Sequence, residues 1–382
     1  MLLCLYKLSC FYYITIVLPL LNSIVTEAML EMAMLFFISV IGCVLIFITF
    51  YLIRYAIRSK IRKKLYNYFS NIISEIAICE SVSEIQSFLD KTSVKRILYK
   101  LLQSTFCRQV FIHQLTKAAG NVAGSSNENL KWVYEHFHLE KDSELRMQSN
   151  RWHIKAKAIQ ELAQMQQKKD IKKLYRLANH SNEFVRQEAQ TAIVKLFGFS
   201  GLRFLNVITY TITDWQQFCL LQELTLKRIT SFAGMERWIR SSNSSVVIFA
   251  LRLVETYHWH ELHDEVAAQL THPSEKVQQK SIQTLGEIYQ PHTGKLLIAA
   301  YNKINKQLQF VVLKVFEKAA SENEIPFLLQ QLNHPDNQFK LIAARAIHNC
   351  GAENRAIIRD TIMNNGYSAA ALLSKLLEEE IV

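Results

Sequence analysis

The densest group of side chains with metal-binding chemistry is the stretch YHWHELHDE at positions 257–265. His260 and Asp264 are one helical turn apart and His263 is close by, so imidazole and carboxylate groups could share one cation. However, HELH is not the HExxH pattern, and no cysteine or further carboxylate is placed to complete a closed site. We therefore interpret the stretch as an exposed polar turn, and the sequence predicts no metal site. The run HFH at 136–138 is a weaker signal of the same kind.

Sequence patterns that accompany catalysis are absent. The chain contains no GxxxxGK[ST], GxGxxG or GxSxG motif, and its ten glycines leave little material for phosphate-binding loops. No spacing of serine, histidine and aspartate singles out a triad. We therefore expect a protein that is not an enzyme, with no catalytic residue and no cofactor.

The formal net charge of +11 comes largely from one short segment. Six cations fall within eleven positions that contain no acidic residue: Arg54, Arg58, Lys60, Arg62, Lys63 and Lys64. Farther along the chain the charge is mixed, with glutamates at 322, 324 and 378–380. A basic excess that is only local gives little support to nucleic-acid binding. We expect these six side chains to contact the surface of a membrane instead.

The segment before these cations is predicted to cross a membrane. Residues 32–53, MAMLFFISVIGCVLIFITFYLI, contain no charged side chain over 22 positions. A helix of that length rises about 33 Å, enough to cross a hydrocarbon layer of about 30 Å. Since lysine and arginine mark the cytoplasmic side, we predict an anchor at 1–54 in the inner (cytoplasmic) membrane, with the later residues in the cytoplasm. The seven cysteines, none in a CxxC pair, fit that reducing compartment.

Residues 1–25 allow three interpretations. They contain one charge, Lys7, and could form a first transmembrane helix in a tight hairpin with the second. They could also be a signal-like segment, although no A-x-A cleavage site stands out. The third interpretation is that the translation start is assigned too early, since Met29 is close. We favour one or two transmembrane helices over a cleaved signal.

Residues 55–144 are predicted to form a basic juxtamembrane helix and a helical adaptor. The stretches SEIQSFLD and VKRILYKLLQSTFCRQVFIHQLTKAAG have apolar residues at spacings of three and four, which is typical of helices. GNVAGSSNEN at 120–129 reads as a linker rich in glycine, serine and asparagine, and NLKWVYEHFHL as one further helix.

From residue 145 onward one phrase of sequence recurs at intervals of thirty or thirty-one residues. Its copies include HSNEFVRQEAQTAIVKLFG at 180–198 and NHPDNQFKLIAARAIHNCG at 333–351. We define the anchor of each copy as the first apolar residue of its second helix, with one polar exception. The anchors are Ile154, Val185, Gln216, Val246, Val277, Leu308 and Phe339.

Positions at fixed distances from the anchors share one chemistry. Residues four past an anchor are mostly small, as at Ala158, and residues eight past are all large and apolar, as at Leu162. Both steps fall on one face of a helix, so these columns predict a buried face. Residues three before an anchor can cap a helix N-terminus, except Arg151 in the first copy. These capping residues are Asn182, Thr213, Asn243, Ser274, Asn305 and Asp336.

Each copy is thus a pair of helices that can bury its apolar face only against its neighbours. We predict an all-α fold in which a transmembrane helix or hairpin is followed by a right-handed α-solenoid of about seven helix pairs. The solenoid occupies 145–382 and is closed by a cap that ends in SAAALLSKLLEEE.

The copy at 180–198 resembles the second helix of a HEAT repeat, in which an Asn or acidic cap precedes Val-Arg, then Ala, then an apolar residue and Gly. Val185 and Arg186 keep the Val-Arg pair, whereas Gln278 and Lys340 replace the arginine in two other copies. The short unit is most similar to the HEAT-like repeats of the phycobilin-lyase type. A membrane anchor followed by such repeats resembles the uncharacterised membrane-anchored HEAT-repeat proteins of bacteria. The resemblance implies a binding surface, with membrane enzymes of envelope or polysaccharide synthesis as a partner class.

A polar column lies six residues past the anchors. Its members are Gln160, Thr191, Gln222, Arg252, Gln283, Lys314 and Arg345, which stacking would place in one row. We predict partner binding by Arg186, Arg252, Gln283, Lys314 and Arg345 on the second helices. The alternative is an ordinary solvated face, which every solenoid needs. Trp152, Trp215 and Trp238 lie near helix starts, and we expect them to pack repeats together.

These observations predict a membrane-anchored cytoplasmic scaffold whose solenoid binds a protein partner that is itself membrane-associated. The lipid bilayer is the second partner. The alternatives are a nucleic-acid-binding solenoid, which the sequence disfavours, and an enzyme of the phycobilin-lyase type. The oligomeric state and the face that binds are left open by the sequence.

Overall fold

The computed structural model describes residues 18–169, 171–226 and 232–351, with side chains from residue 29 onward. This part of the chain contains 18 α-helices and no β-strand, so the predicted all-α fold is confirmed. It divides into two compact units between Leu139 and Glu140. Residues 1–17 and the predicted C-terminal cap lie outside the described residues.

The first unit is built from five α-helices. They are α1 (Leu18–Ile78), α2 (Val82–Asp90), α3 (Thr92–Leu102), α4 (Thr105–Asn121) and α5 (Ser125–His136). The C-terminal part of α1 packs against α4 and α5 through buried side chains that include Leu65, Phe69 and Ile76. The rings of Phe69 and Phe111 lie 4.8 Å apart between centroids, at the centre of this small core.

Helix α1 changes its surroundings along its length. From Met29 to Ile53 its large apolar side chains are exposed, and this helix is long and apolar enough to cross a membrane. Two hydroxyl side chains in this part bond within the helix: Ser39 Oγ donates to the Phe36 carbonyl at 2.8 Å, and Thr49 Oγ1 donates to the Ile46 carbonyl at 2.9 Å. The helix runs unbroken from residue 18 to residue 78, so these residues contain no turn between two spans.

The predicted linker at 120–129 is mostly helical. Helix α4 continues to Asn121 and α5 begins at Ser125, which leaves residues 122–124 between them. The polar side chains of this stretch bond the end of α1, where carbonyl groups lack partners within the helix. Ser126 Oγ donates to the Ala77 carbonyl at 2.6 Å, and Asn129 Nδ2 donates to the Cys79 carbonyl at 2.7 Å. The linker prediction was wrong because these side chains dock one helix on another.

The second unit contains all seven predicted second helices, which follow a short helix, α6 (Leu139–Met147). They are α7 (Trp152–Gln164), α9 (Glu183–Phe197), α10 (Asp214–Thr225), α12 (Ser244–Tyr257), α14 (Glu275–Glu287), α16 (Lys306–Ala319) and α18 (Asn337–Asn349). Shorter helices alternate with them: α8 (Ile171–Leu177), α11 (Met235–Ile239), α13 (His263–Ala268), α15 (Thr293–Tyr301) and α17 (Ile325–Gln331). Between α9 and α10 a 3-10 helix, Gly198–Asn206, takes the place of a first helix.

One continuous apolar core runs through this unit from Met147 to Ile347. Second helices pack on their neighbours along it, as α7 does on α9 and α14 does on α16. All residues four and eight past the anchors except the buried Ser281 belong to it, among them Ala158, Leu162 and Leu285. The predicted solenoid of stacked helix pairs is therefore confirmed for the described residues.

The predicted capping column is confirmed at five of its six positions. The side chains of Asn182, Thr213, Asn243, Asn305 and Asp336 each accept an N–H group in the first turn of a second helix. Ser274 makes no such side-chain bond. Each cap satisfies a backbone donor that has no partner within the helix, so the short polar side chain fixes where the helix begins.

A second type of side-chain hydrogen bond stabilises the turn before these caps. The ring Nδ1 of His180 accepts the backbone N–H of Asn182 at 3.0 Å, and His272 and His334 do the same two residues before their own caps. Ser149 and Ser241 accept the corresponding bond through Oγ. The histidine in the repeated phrase is thus a turn acceptor, and serine replaces it without changing the turn.

Candidate functional site

The second helices of the repeats share one face that is exposed or partly exposed except at Ala156 and Ser245. Residues one before, two past and six past an anchor fall within a sector of about 60° at 100° per residue. This sector points away from the buried column that the anchors and the residues four and eight past them form. We refer to the exposed residues of this sector, together with Trp152, as the stripe.

The stripe begins with exposed aromatic side chains on α7, α9 and α10. Trp152 is 45% exposed, Phe184 56%, Trp215 68% and Phe218 54%. The rings of Trp152 and Phe184 stack across two repeats at 4.8 Å, and those of Trp215 and Phe218 stack at 5.8 Å. Large apolar side chains that group together on a surface mark interaction sites, and tryptophan is enriched among residues that dominate binding energy. We call these four residues the aromatic patch.

The prediction that three tryptophans pack repeats together holds for Trp238 and for Trp152 but is wrong for Trp215. Trp238 is 3% exposed, and its Nε1 donates to Asn206 Oδ1 at 2.9 Å. Trp215 does not pack repeats, because it stands at the outer edge of α10 and contacts Phe218 of the same helix. Trp152 contacts the next repeat through Phe184, but both rings face solvent. Exposure therefore separates two surface tryptophans from one buried tryptophan.

The polar column six past the anchors continues the stripe. Gln283 and Lys314 are exposed, while Arg252 and Arg345 are partly exposed. Arg252 donates to Asp214 Oδ1 at 2.5 Å, and Arg345 Nη1 lies 3.9 Å from Glu317 Oε1, so both cations are paired with the preceding repeat. The Lys314 ammonium lies 4.9 Å from the ring centre of Phe310. The basic end of the stripe is thus ordered by contacts of its own.

Arg186 was predicted to bind a partner, but its side chain lies against the turn before its own helix and not on the stripe. Its side chain is 9% exposed, and Nη1 donates to the carbonyl of His180 at 2.8 Å. Its guanidinium also lies over the ring of Tyr210, 4.2 Å from the centroid. Gln278 bonds the His272 carbonyl in the same way, so this position holds the turn before the second helix in these two copies. We therefore leave Arg186 out of the stripe.

Gln216, the polar exception among the anchors, is buried at 3% exposure. Its Nε2 donates to the Gln187 carbonyl at 3.1 Å and lies 3.3 Å from Thr191 Oγ1, both on the preceding second helix. A buried amide costs free energy unless it is hydrogen-bonded, and these bonds across two repeats satisfy it. The glutamine therefore joins α9 to α10 at the position next to Trp215.

The six cations predicted to contact a membrane surface all lie on α1 and are all exposed. At 100° per residue they point in all directions around the helix over about 15 Å of its length. They therefore form a collar between the exposed apolar part of α1 and the packed part, which begins at Leu65. The Arg62 guanidinium also lies 5.9 Å from the ring centre of Phe106.

The stretch YHWHELHDE was predicted to be an exposed turn, and only part of it is exposed. His260 is exposed, but His263 is 2% exposed at the start of α13. Its Nε2 lies 2.7 Å from Thr293 Oγ1, and burial lowers its pKa below the ordinary value. His292, which precedes α15, lies beside it with ring centroids 4.4 Å apart. The exposed-turn interpretation is wrong for His263 because the next repeat covers its ring.

Comparisons with known proteins find solved structures that are similar at low sequence identity and low TM-score. No protein-family model matches the sequence, and no curated protein matches it. An engineered protein matches 69% of this chain and 80% of its own length, at 17% identity and a TM-score of 0.33. The complex of CpcE and CpcF of phycocyanin lyase from Nostoc sp. PCC7120 matches 58% of this chain and 92% of its own, at 15% identity and 0.28. Importin beta matches 80% of this chain, at 11% identity and 0.33, and this chain spans 45% of importin beta.

Proposed function

We propose that this protein is a membrane-anchored scaffold whose repeat unit binds a protein partner through the stripe. The observation that carries the proposal is the aromatic patch, four exposed rings placed on three consecutive second helices. Trp215 and Phe218 add nothing to the core at that position, where the anchor Gln216 is already buried and bonded. Binding is the role that these residues fit, and no reaction is assigned to them.

The anchoring part of the proposal rests on α1. The large apolar side chains between Met29 and Ile53 are all exposed, so in an aqueous setting each of them would contact water. Hydrocarbon would cover them over about 37 Å of helix, somewhat more than one bilayer core. The collar of cations follows directly, where lipid headgroups would begin. We place the span at 32–53 and the residues after it on the cytoplasmic side of an inner membrane.

The chemistry of the stripe indicates the kind of partner. Its first part is aromatic, and its last part carries Arg252, Lys314 and Arg345 beside Gln283. Both arginines already pair with acidic side chains, Asp214 and Glu317. Less of their positive charge is therefore available to bind a polyanion. This favours a protein with an apolar surface and a few acidic groups over nucleic acid, whose binding depends on many phosphate contacts. A membrane enzyme of envelope or polysaccharide synthesis is the partner class that the HEAT resemblance suggests.

Orientation and anchoring are tested first in native membranes. Alkaline extraction should leave the full chain in the membrane fraction, since its span is apolar. Protease added to spheroplasts should leave a C-terminal tag intact, whereas protease added to inverted vesicles should remove it. Release by alkali would contradict the anchor, and cleavage in intact spheroplasts would contradict the orientation.

Partner binding is tested by a cross-linked pull-down that compares the full chain with a chain lacking residues 1–64. If one membrane protein is enriched by both chains, the partner contacts the region beyond the anchor. The full chain with Trp215→Ala and Phe218→Ala should lose that protein. The matched control is Leu296→Ala, which removes an exposed apolar side chain from α15. Equal recovery with the double variant and the control would contradict the role of the stripe.

A further inference from the structure

We propose that His263, Asp264 and His292 form a binding site for a divalent cation of the zinc class. One candidate ligand atom from each side chain lies within 4.8 Å of the other two. The site joins the start of α13 to the residue before α15, and so links two consecutive repeats. It is separate from the stripe and does not depend on the proposed partner.

The distances between the candidate ligand atoms are the main evidence for a cation site. His263 Nδ1 lies 3.4 Å from Asp264 Oδ1, and His292 Nε2 lies 3.7 Å from the same oxygen. Good N–H···O hydrogen bonds measure about 2.7–3.2 Å, so these pairs are too long to be explained as strong hydrogen bonds. Ligands at about 2.0–2.2 Å from a tetrahedral zinc ion lie about 3.3–3.5 Å apart. Both distances to Asp264 Oδ1 are therefore closer to the spacing of ligands around one cation.

The buried ring of His263 is held in place by a hydrogen bond at Nε2, the nitrogen that faces away from Asp264. Thr293 Oγ1 lies 2.7 Å from His263 Nε2 and also accepts the backbone N–H of Gln290 at 2.9 Å. The threonine hydroxyl can donate to Nε2 or accept from it, so the contact persists when Nδ1 gives up its proton to become a ligand. Metal-binding histidines characteristically have such a partner on the nitrogen that faces away from the ion. Thr293 is itself fully buried, which holds the ring in place.

The other two ligands face solvent, so a cation can reach the site. The side chain of Asp264 is 92% exposed and that of His292 is 50% exposed. Two imidazoles and one carboxylate form a ligand set that zinc accepts, and they leave one tetrahedral position for water. The carboxylate also supplies a negative charge that favours a cation over a neutral ligand. Binding would connect two helices from neighbouring repeats through the ion.

The test uses the full chain, purified in detergent and stripped of metal with a chelator. Zinc chloride is titrated against a colorimetric zinc indicator to measure affinity and stoichiometry. Asp264→Ala and His292→Ala should each weaken one equivalent of zinc by at least about 10-fold, as expected when one of three ligands is lost. Both side chains are largely in solvent, so neither change should disturb folding, which a circular-dichroism melt without metal verifies.

His260→Ala is the matched control, because His260 is an exposed histidine of the same stretch that lies outside the cluster. It should bind zinc within about twofold of wild type, and cobalt(II) should give the visible absorption of a tetrahedral site in both proteins. Zinc should also raise the melting temperature of wild type and of this control but not of His292→Ala, since a ligand that binds only the folded state stabilises it. Unchanged binding in both cluster variants, or loss of zinc with His260→Ala alone, would overturn the proposal.

Discussion

The aromatic patch gives the most quantitative prediction, because its exposed area sets an upper limit on the binding energy. Trp215 is 68% exposed and Phe218 is 54% exposed. Covering those fractions of side chains of about 200 Å² removes roughly 240 Å² from water, or about 6 kcal/mol at about 25 cal/mol per Å². Alanine keeps part of that area and binding orders the partner as well, so a smaller measured loss is expected.

We expect Trp215→Ala alone to weaken partner binding by about 2–3 kcal/mol, or roughly 30- to 150-fold in Kd. The assay is biolayer interferometry with the purified full chain and the partner identified in the pull-down. Folding should be unaffected within about 0.5 kcal/mol, since an exposed side chain is removed. Leu296→Ala, on α15, should leave Kd within about twofold of wild type. A Trp215→Ala protein that is fully folded and binds like wild type would refute the assignment of the patch.

Three further predictions concern stability. Leu285→Ala, at a fully buried core position, should destabilise the fold by about 2–5 kcal/mol in urea unfolding, whereas Leu296→Ala should cost under about 1 kcal/mol. Gly294→Ala should cost about 1–3 kcal/mol in the same assay, because a Cβ would overlap the buried Glu324 carboxylate. Burial lowers the pKa of His180, so the unfolded chain binds protons first and stability falls as pH drops below 6.5. His180→Ser should flatten that fall in melts from about pH 7.5 to pH 5, and an unchanged pH profile would contradict it.

The fold could be predicted from the sequence because its determinants are local and repeated. The capping residue, the anchor and the large residue eight past it recur with a fixed spacing, and each acts through its own helix or the next one. Asn305 illustrates this, since its side chain caps α16 by accepting the Leu308 N–H at 2.9 Å. Seven copies of the same pattern made the helix pairs and their order recognisable without any structure.

The surface was harder to predict, because exposure depends on which neighbouring repeat covers a residue. Trp215 and Trp238 both lie near helix starts, yet one faces solvent and the other bonds Asn206 from an earlier segment. His292 lies almost thirty residues after His263, and only stacking of the repeats brings the two rings together. Arg186 was predicted to bind a partner, whereas carbonyl groups of the preceding turn bind it.

Site-specific photo-cross-linking in native membranes tests the central claim most directly. A photoreactive amino acid is introduced into the full chain at position 184 or 215, in the aromatic patch, and at position 296 on α15 as the control. We predict that both patch positions cross-link to the same membrane-associated protein and that position 296 does not. Cross-linking of that protein at position 296 alone, or of no protein at 184 and 215, would contradict partner binding through the stripe.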